Sequence, residues 1–417
     1  MSARGFAGAA GTGKTTRLMA ALEEALRERP LREGERILAL TRMHGSRFRL
    51  IDKLGAGTGR GRFDCLTFDR FAWELSSRWR SRARELAAPT SECDYDATCA
   101  MAHGLLCEPS IARWVCARYP IVIVDELQDC RDGRLGIVQA LCDHSNLLVA
   151  GDDFQDLGGT GQNPAMEWLA SATLIEELAV VHRTSNRGLL QVASAFRDGT
   201  PVPNTNSKVL SAPNHNVAAS FLANGIQWSG GDEIVVLSAS RSPFVMKALT
   251  RLAEKPIGKK EIGPYRVSWE QSRDSLEQRL CEALSLSDDD SATVDAPRFA
   301  GDERLPAQKE IENWIRRRRR VHGQVSFRCE ELRSHVRRSV DRLRAQPSRS
   351  RGPRVMTIHQ AKNREFDRVL ILWPLRVVGG AEAQRRLLYN AVTRAKKQAT
   401  IIVQDPKRDR LATSPFQ

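Results

Sequence analysis

The residues best able to do chemistry stand at the start of the chain. Gly8-Ala9-Ala10-Gly11-Thr12-Gly13-Lys14-Thr15-Thr16 sets Gly8 and Gly13 with four residues between them, directly before a lysine and two hydroxyls. Glycines at those points let backbone N–H groups converge on phosphate oxygens, Lys14 offsets β- and γ-phosphate charge, and the Thr15 hydroxyl can ligate Mg²⁺. A helix starting near Gly13 would aim its positive end at the same anion. Further along, Ile121-Val122-Ile123-Val124-Asp125-Glu126 is an apolar run closed by two carboxylates. Asp125 is placed to hold Mg²⁺ through water, and Glu126, one residue on, to orient and deprotonate an attacking water. Either segment alone is compatible with a glycine-rich turn or an ordinary buried strand. Together they predict hydrolysis of a nucleoside triphosphate.

Groups this far apart in the chain share a site only if a sheet gathers them. Short β-rich runs at 36–41, 65–67, 121–125 and 146–150 alternate with helical stretches over the first part of the chain. A second alternation runs through 233–238, 354–358, 368–373 and 398–403, with a helix over 382–394. This rhythm predicts an α/β chain of two parallel-sheet domains joined by crossover helices, the first over 1–178 and the second over 179–417. Two stretches interrupt it. Residues 72–118 read as a small helical insertion in the first domain. Residues 271–353 pass through an acidic, Ser-rich linker at 285–295, turn strongly basic, and read as a helical insertion in the second.

A formal charge of +14 and a pI near 9.7 point to a polyanionic partner, because clustered cations displace counterions from phosphate backbones. Much of the excess is Arg, whose planar fork suits phosphate. Nine cysteines without a C-x-x-C pair argue against a disulfide scaffold or a standard zinc site and lead us to expect a reducing, cytoplasmic setting. Cys93, Cys99, Cys107 and Cys116, with His103, match no metal-ligand spacing and read as small core residues. No apolar run approaches the ~20 residues of a membrane span. Trp314 leads into five consecutive arginines at 316–320, which cover every face of a helix. This segment reads first as a nucleic-acid-contacting appendage, with a solvated connector or a targeting signal as alternatives.

Asp125-Glu126-Leu127-Gln128-Asp129 resembles the UvrD/Rep branch of superfamily 1 DNA helicases, and similar segments continue in the family's order towards the C-terminus. Gly151-Asp152-Asp153-Phe154-Gln155 is similar to the third motif, which implies that Gln155 senses the γ-phosphate. His182-Arg183-Thr184-Ser185 resembles an Asn-Tyr-Arg-Ser element, implying that Arg183 reaches that phosphate from the second domain. Thr357-Ile358-His359-Gln360-Ala361-Lys362-Asn363-Arg364-Glu365-Phe366 resembles the fifth motif, which implies DNA contact by Thr357 and His359 and ribose contact by Glu365. Leu387-Leu388-Tyr389-Asn390-Ala391-Val392-Thr393-Arg394-Ala395 is similar to the sixth, with Arg394 as a finger on developing phosphate charge. Thr41 in Ala39-Leu40-Thr41, and Thr67 and Phe68 in Leu66-Thr67-Phe68-Asp69-Arg70-Phe71, fall where the family begins its other DNA contacts. Gly263-Pro264-Tyr265 resembles its Ile-Pro-Tyr turn. The resemblance implies two RecA-like domains with ATP and Mg²⁺ between them, hydrolysis stimulated by single-stranded DNA, and 3′ to 5′ movement on single strands or strand junctions.

Departures qualify that expectation. The family's adenine-reading Gln has no counterpart in the residues before Gly8. Where the family stacks an aromatic on single-stranded bases after the third motif, this chain has Asp156-Leu157-Gly158-Gly159-Thr160, leaving Phe154, Trp168 or an insertion residue to substitute. Asn363-Arg364 replaces Gly-Leu, and Asn tolerates the left-handed backbone that a Gly there would adopt. Both insertions are short. These features raise a second expectation, a DNA-sensing ATPase subunit that does not unwind alone and works with a nuclease in repair or anti-phage defence.

Overall fold

The computed structural model describes residues 3–42, 47, 50–55, 62–86, 95–158, 161–172, 174–182, 184, 186–203, 208–270, 273–287, 289, 292–301, 304–345, 353–413 and 415–416. They form two compact units, one of Met1–Ser268 with Arg351–Gln417 and one of Trp269–Ser350.

The first unit is built on two sheets. Strands β1 (Ala3–Gly8), β2 (Ile37–Thr41), β3 (Phe63–Thr67), β4 (Ile121–Val124), β5 (Asn146–Gly151) and β6 (Leu174–Leu178) make a six-stranded sheet in the order β3-β2-β4-β5-β1-β6. All of its pairings are parallel. Buried parallel strands need apolar side chains on both faces, and β2 and β4 are buried at every position. The crossover helix Lys14–Glu28 packs through Leu18, Ala21, Leu22 and Ala25, the three- and four-residue spacing of one helical face.

The second sheet takes β7 (Lys208–Ala212), β8 (Ile234–Ser238) and β9 (Ser268–Trp269); after β10 (Thr293–Asp295) and β11 (Ser326–Arg328) of the other unit come β12 (Arg354–Thr357), β13 (Phe366–Trp373) and β14 (Ala395–Gln404). Its order is β7-β14-β13-β8-β12-β9. The chain is therefore α/β with two mostly parallel six-stranded sheets. Strands β6 and β7 escape a sequence pattern because nearly all their positions are exposed or half-buried, which leaves no continuous apolar run.

Four helices, Phe68–Arg78, Arg80–Leu86, Tyr95–Leu106 and Pro109–Arg118, occupy the first insertion. Cys99 and Cys116 are buried within the first-sheet core, and Cys107 Sγ lies 3.4 Å from His103 Nε2. Among the described residues no three His, Cys, Asp or Glu gather as a metal site, and Cys93 lies outside them. No helix of the described residues is long and apolar enough to cross a membrane.

The unit Trp269–Ser350 has its own core, in which Leu280, Ile311, Ile315, Phe327, Leu332 and Val336 are buried together. Strand β10, in the stretch expected to be linker, pairs antiparallel with β11. The helix Gln308–His322 seats Ile311 and Ile315, so it is amphipathic before its arginine run begins. Arg316, Arg317 and Arg320 are exposed, and Arg318 pairs with Glu331 at 3.4 Å. Trp314 stacks on His335 at 4.1 Å and 14°. Burial, with the nearby Arg338, Arg342 and Arg318, pushes the His335 imidazole down to about 4.

Candidate active site

Three strands of the first sheet deliver their chemistry at one edge. Parallel strands end on the same side, so the loop after β1, the carboxylates after β4 and the turn after β5 all open there. Strand β5 lies between β1 and β4, which sets its terminal residues between the glycine loop and Asp125-Glu126.

The loop has the backbone its glycines allow. Gly11 and Gly13 take φ of 83° and 81°, conformations strained for a residue with a Cβ. Gly8 is required by space: a Cβ there would lie 2.6 Å from the Leu178 carbonyl and 2.7 Å from Thr12 Oγ1. Lys14 Nζ donates to the Gly8 and Ala9 carbonyls at 2.8 and 2.9 Å. The first turn of the following helix carries no acidic residue, so its unpaired N–H groups present positive potential unopposed.

Thr15 Oγ1 lies 3.2 Å from Asp125 Oδ2. The hydroxyl and this buried carboxylate are an oxygen-only pair at the loop, the donor chemistry a hard divalent cation takes. Glu126 adopts a left-handed backbone with φ 61°, and its Oε2 accepts from Gln128 Nε2 at 2.6 Å. Gln128 Oε1 in turn accepts from the Asp152 N–H at 3.0 Å, so the turns after β4 and β5 are bonded to each other.

The second sheet closes this edge into a cleft of about 380 Å³. Lys14, Thr15, Thr16, Asp125, Glu126 and Gln155 line one wall, with His182 against the glycine loop, whereas Asn363, Glu365 and Arg394 line the other. Arg394 is buried; its Nε donates to the Asn390 carbonyl at 2.9 Å, and its Nη2 lies 3.4 Å from Gln155 Oε1. Asn363 has φ 64°, the left-handed turn that the Asn-for-Gly exchange leads one to expect. Leu50 and Lys53 also line the cleft, although no sequence motif marks them.

The remaining sequence candidates fall in different surroundings. Arg183 lies outside the described residues; its neighbour His182 donates its N–H to the Gly11 carbonyl at 2.7 Å. Thr41 is fully buried, and Phe68 is in the core at 1% exposure. Thr67 Oγ1 caps the helix Phe68–Arg78 by accepting from the Arg70 N–H at 3.2 Å. Thr357 exchanges two hydrogen bonds with Gln360, and His359 is exposed.

Several polar residues with no role assigned from sequence join the two sheets. Tyr389, from the helix Ala381–Val392, accepts from the Ala10 N–H at 2.8 Å and donates to Asp152 Oδ2 at 3.0 Å. Asp152 also receives Gln155 Nε2 at 2.9 Å and Arg197 Nη1 at 3.0 Å. Burial, with the Asp152 charge, raises the Tyr389 phenol well above its ordinary range and keeps it protonated as a donor. Lys362 pairs with buried Asp129 and donates to the Gln155 carbonyl at 3.0 Å. Burial pushes the Asp129 carboxyl up while the Lys362 charge opposes the rise. Phe154 is enclosed among Tyr389, edge-on at 5.1 Å, and the guanidiniums of Arg386 at 5.1 Å and Arg197 at 5.9 Å. At 8% exposure its ring is not offered to a base.

Comparisons with known proteins agree with the motif resemblance where the second sheet carries it. Residues 353–402, which include β12, β13 and the helix bearing Tyr389, match the family model of the UvrD-like helicase C-terminal domain. Among solved structures, the chain is similar to the arterivirus nonstructural protein 10 helicase at 13% identity and a TM-score of 0.41, covering 99% of this chain and 62% of that one. It is also similar to the Pif1 helicase from Bacteroides in complex with ADP-AlF3 and ssDNA, at 13% identity and a TM-score of 0.38, over 96% of this chain and 88% of that one. The chain thus spans less than two thirds of the arterivirus protein's length. No curated protein matches it.

Proposed function

We propose that this helicase-like chain is an ATP-driven motor on single-stranded DNA, moving 3′ to 5′, with ATP hydrolysed in the cleft between the two sheets. The observation that carries this reading is the composite wall: Lys14, Thr15, Asp125, Glu126 and Gln155 face Glu365 and Arg394 across one opening. A site assembled from both sheets can be completed or broken by their relative movement, which is how hydrolysis is converted into steps.

In this reading the loop N–H groups and Lys14 receive the β- and γ-phosphates, and Glu365 contacts the ribose. Thr15 and Asp125 would hold Mg²⁺, which when bound neutralises phosphate charge. Glu126 orients the water and takes its proton as the oxygen bonds to the γ-phosphorus, and the broken bond leaves ADP with the electron pair. Arg394 and Arg183 stabilise the charge that develops on the transferred group. Gln155, bonded to both Asp152 and Arg394, is the contact through which phosphate occupancy is sensed by both sheets. Thr41, Thr67, Phe68, Thr357 and His359 mark the DNA-contacting segments.

A second reading is an ATPase subunit that senses DNA without separating strands alone and serves a nuclease. The enclosure of Phe154 favours it, because the third-motif segment then supplies no stacking ring. ATP turnover measured with and without dT20, followed by strand displacement on 3′-tailed and 5′-tailed duplexes, separates the readings. Stimulated turnover with 3′-tail unwinding supports the motor, and stimulated turnover without unwinding supports the subunit. Turnover that ignores DNA, or survives Lys14→Ala, refutes both.

A further inference from the structure

Asp156 opens the stretch in which the chain departs from the motif resemblance, so no family role passes to it or to Asn163. Both side chains are nevertheless buried, and both are fully engaged. Asp156 Oδ1 accepts from the Gly158 N–H at 2.8 Å, and its Oδ2 accepts from Arg131 Nη2 at 2.5 Å and Asn163 Nδ2 at 2.9 Å. Asn163 Oδ1 accepts from the N–H groups of Ala165 and Met166 at 3.0 and 3.2 Å, which caps the helix Pro164–Ala172. Its Nδ2 also donates to the Gln128 carbonyl at 2.8 Å. Backbone donors fix the oxygen of this amide, so its nitrogen has one orientation only.

Gln128 carries that constraint to the catalytic carboxylate. It is fully buried, and its Oε1 accepts from the Asp152 N–H at 3.0 Å. A backbone donor cannot turn away, so Nε2 must face Glu126 Oε2, which it meets at 2.6 Å. Gly151 leaves the room for this: a Cβ there would lie 2.8 Å from Met166 Sδ and 3.3 Å from Gln128 Oε1. Glu126 itself stands on a left-handed backbone at φ 61°, a conformation that persists only where its surroundings hold it.

A link made for stability alone would be served by apolar packing, since every buried polar group must recover the hydrogen bonds it gave up to water. Directional groups are what fix the position of an oxygen. Here they run from the half-exposed Arg131 through Asp156, Asn163 and Gln128 to a carboxylate on the cleft wall. Displacing a reacting group by about 1 Å costs on the order of 10²-fold in rate.

We propose that Asn163, held by Asp156 and Arg131, is a positioning residue for hydrolysis: it clamps Gln128, and Gln128 holds Glu126 for the attacking water. The proposal rests on the reading of Glu126 as the general base. Phosphate release by the full chain is measured at saturating ATP with and without dT20, and mant-ADP binding in parallel. Asn163→Asp keeps the oxygen that caps the helix and removes the donor to Gln128. It is expected to lower kcat by about 10-fold or more, with mant-ADP affinity within about 2-fold. In a Glu126→Gln background the same substitution lowers kcat by less than about 2-fold, because the clamp acts only through the base. Asp156→Asn combined with Asn163→Asp again sets a donor against an acceptor between the two side chains. This exchanged pair recovers the urea midpoint, but the Gln128 carbonyl still lacks its donor and kcat stays low.

Wild-type kcat in Asn163→Asp overturns the clamp, and so does an equal fall in kcat with and without Glu126, the mark of general loosening. If Asn163→Asp does not fold, the exchanged pair decides. Lowered kcat there with mant-ADP affinity kept supports the clamp; wild-type kcat, or affinity lost together with kcat, overturns it. A clamp that fails while Glu126→Gln remains slow leaves the base reading standing, whereas wild-type kcat in Glu126→Gln overturns both.

Discussion

Tyr389→Phe removes one oxygen and leaves the ring, so it isolates what the hydroxyl contributes. The ring keeps its edge-on contact with Phe154, and the site is sealed, with Tyr389 1% exposed. Two hydrogen bonds disappear, from the Ala10 N–H and to Asp152 Oδ2. The Ala10 N–H is left buried without an acceptor, at a cost of about 1–3 kcal/mol. Asp152 retains Gln155, Arg197 and the Phe154 N–H, so its share is at the low end, about 1 kcal/mol. The variant should therefore lose about 2–4 kcal/mol of stability, read as a lower urea midpoint at unchanged slope. Because the hydroxyl holds the phosphate loop to the second sheet, kcat for ATP should fall together with stability. A cycle with Asp152→Asn should show a coupling of about 1 kcal/mol or more, since the two groups touch. A stability loss below about 0.5 kcal/mol, or zero coupling, would refute the bridge as an energetic link between the sheets.

Three further outcomes are expected. Glu126→Gln should leave nucleotide binding within a few-fold and lower kcat by about 10²–10⁴, measured by phosphate release, because the amide cannot take the water's proton. Lys362→Met should lower stability by about 3 kcal/mol at pH 7 by removing the cation paired with the buried Asp129 carboxylate; the loss should shrink on acidification, as a carboxyl with a raised folded pKa regains stability once protonated. The unit Trp269–Ser350 should weaken in acid. Its His335 has a folded pKa near 4 against 6.5 unfolded, so the unfolded chain binds the proton first, and stability present above pH 6.5 is lost as pH falls towards 4, by up to about 3 kcal/mol. Urea unfolding or amide exchange across that window checks it, and His335→Phe should flatten the dependence.

The sequence by itself determined the pieces that are written in short runs. The glycine spacing of the phosphate loop, the apolar strand ending in Asp125-Glu126 and the left-handed Asn363 depend on the local steric and chemical needs of a few adjacent residues. The alternation of strands and helices was legible for the same reason, except at β1, β6, β7 and β9 to β11, where exposed or half-buried positions broke the apolar run. Only the tertiary structure decided how those pieces are wired. Tyr389 meets Ala10 across 379 positions, Lys362 reaches Asp129 across 233, and Arg394 approaches Gln155 across 239. It also enclosed Phe154, which sequence left as a stacking candidate. A lone Tyr, Lys or Trp has no local pattern that reports its partner, because burial and hydrogen bonding are set by which surfaces meet when the two sheets dock.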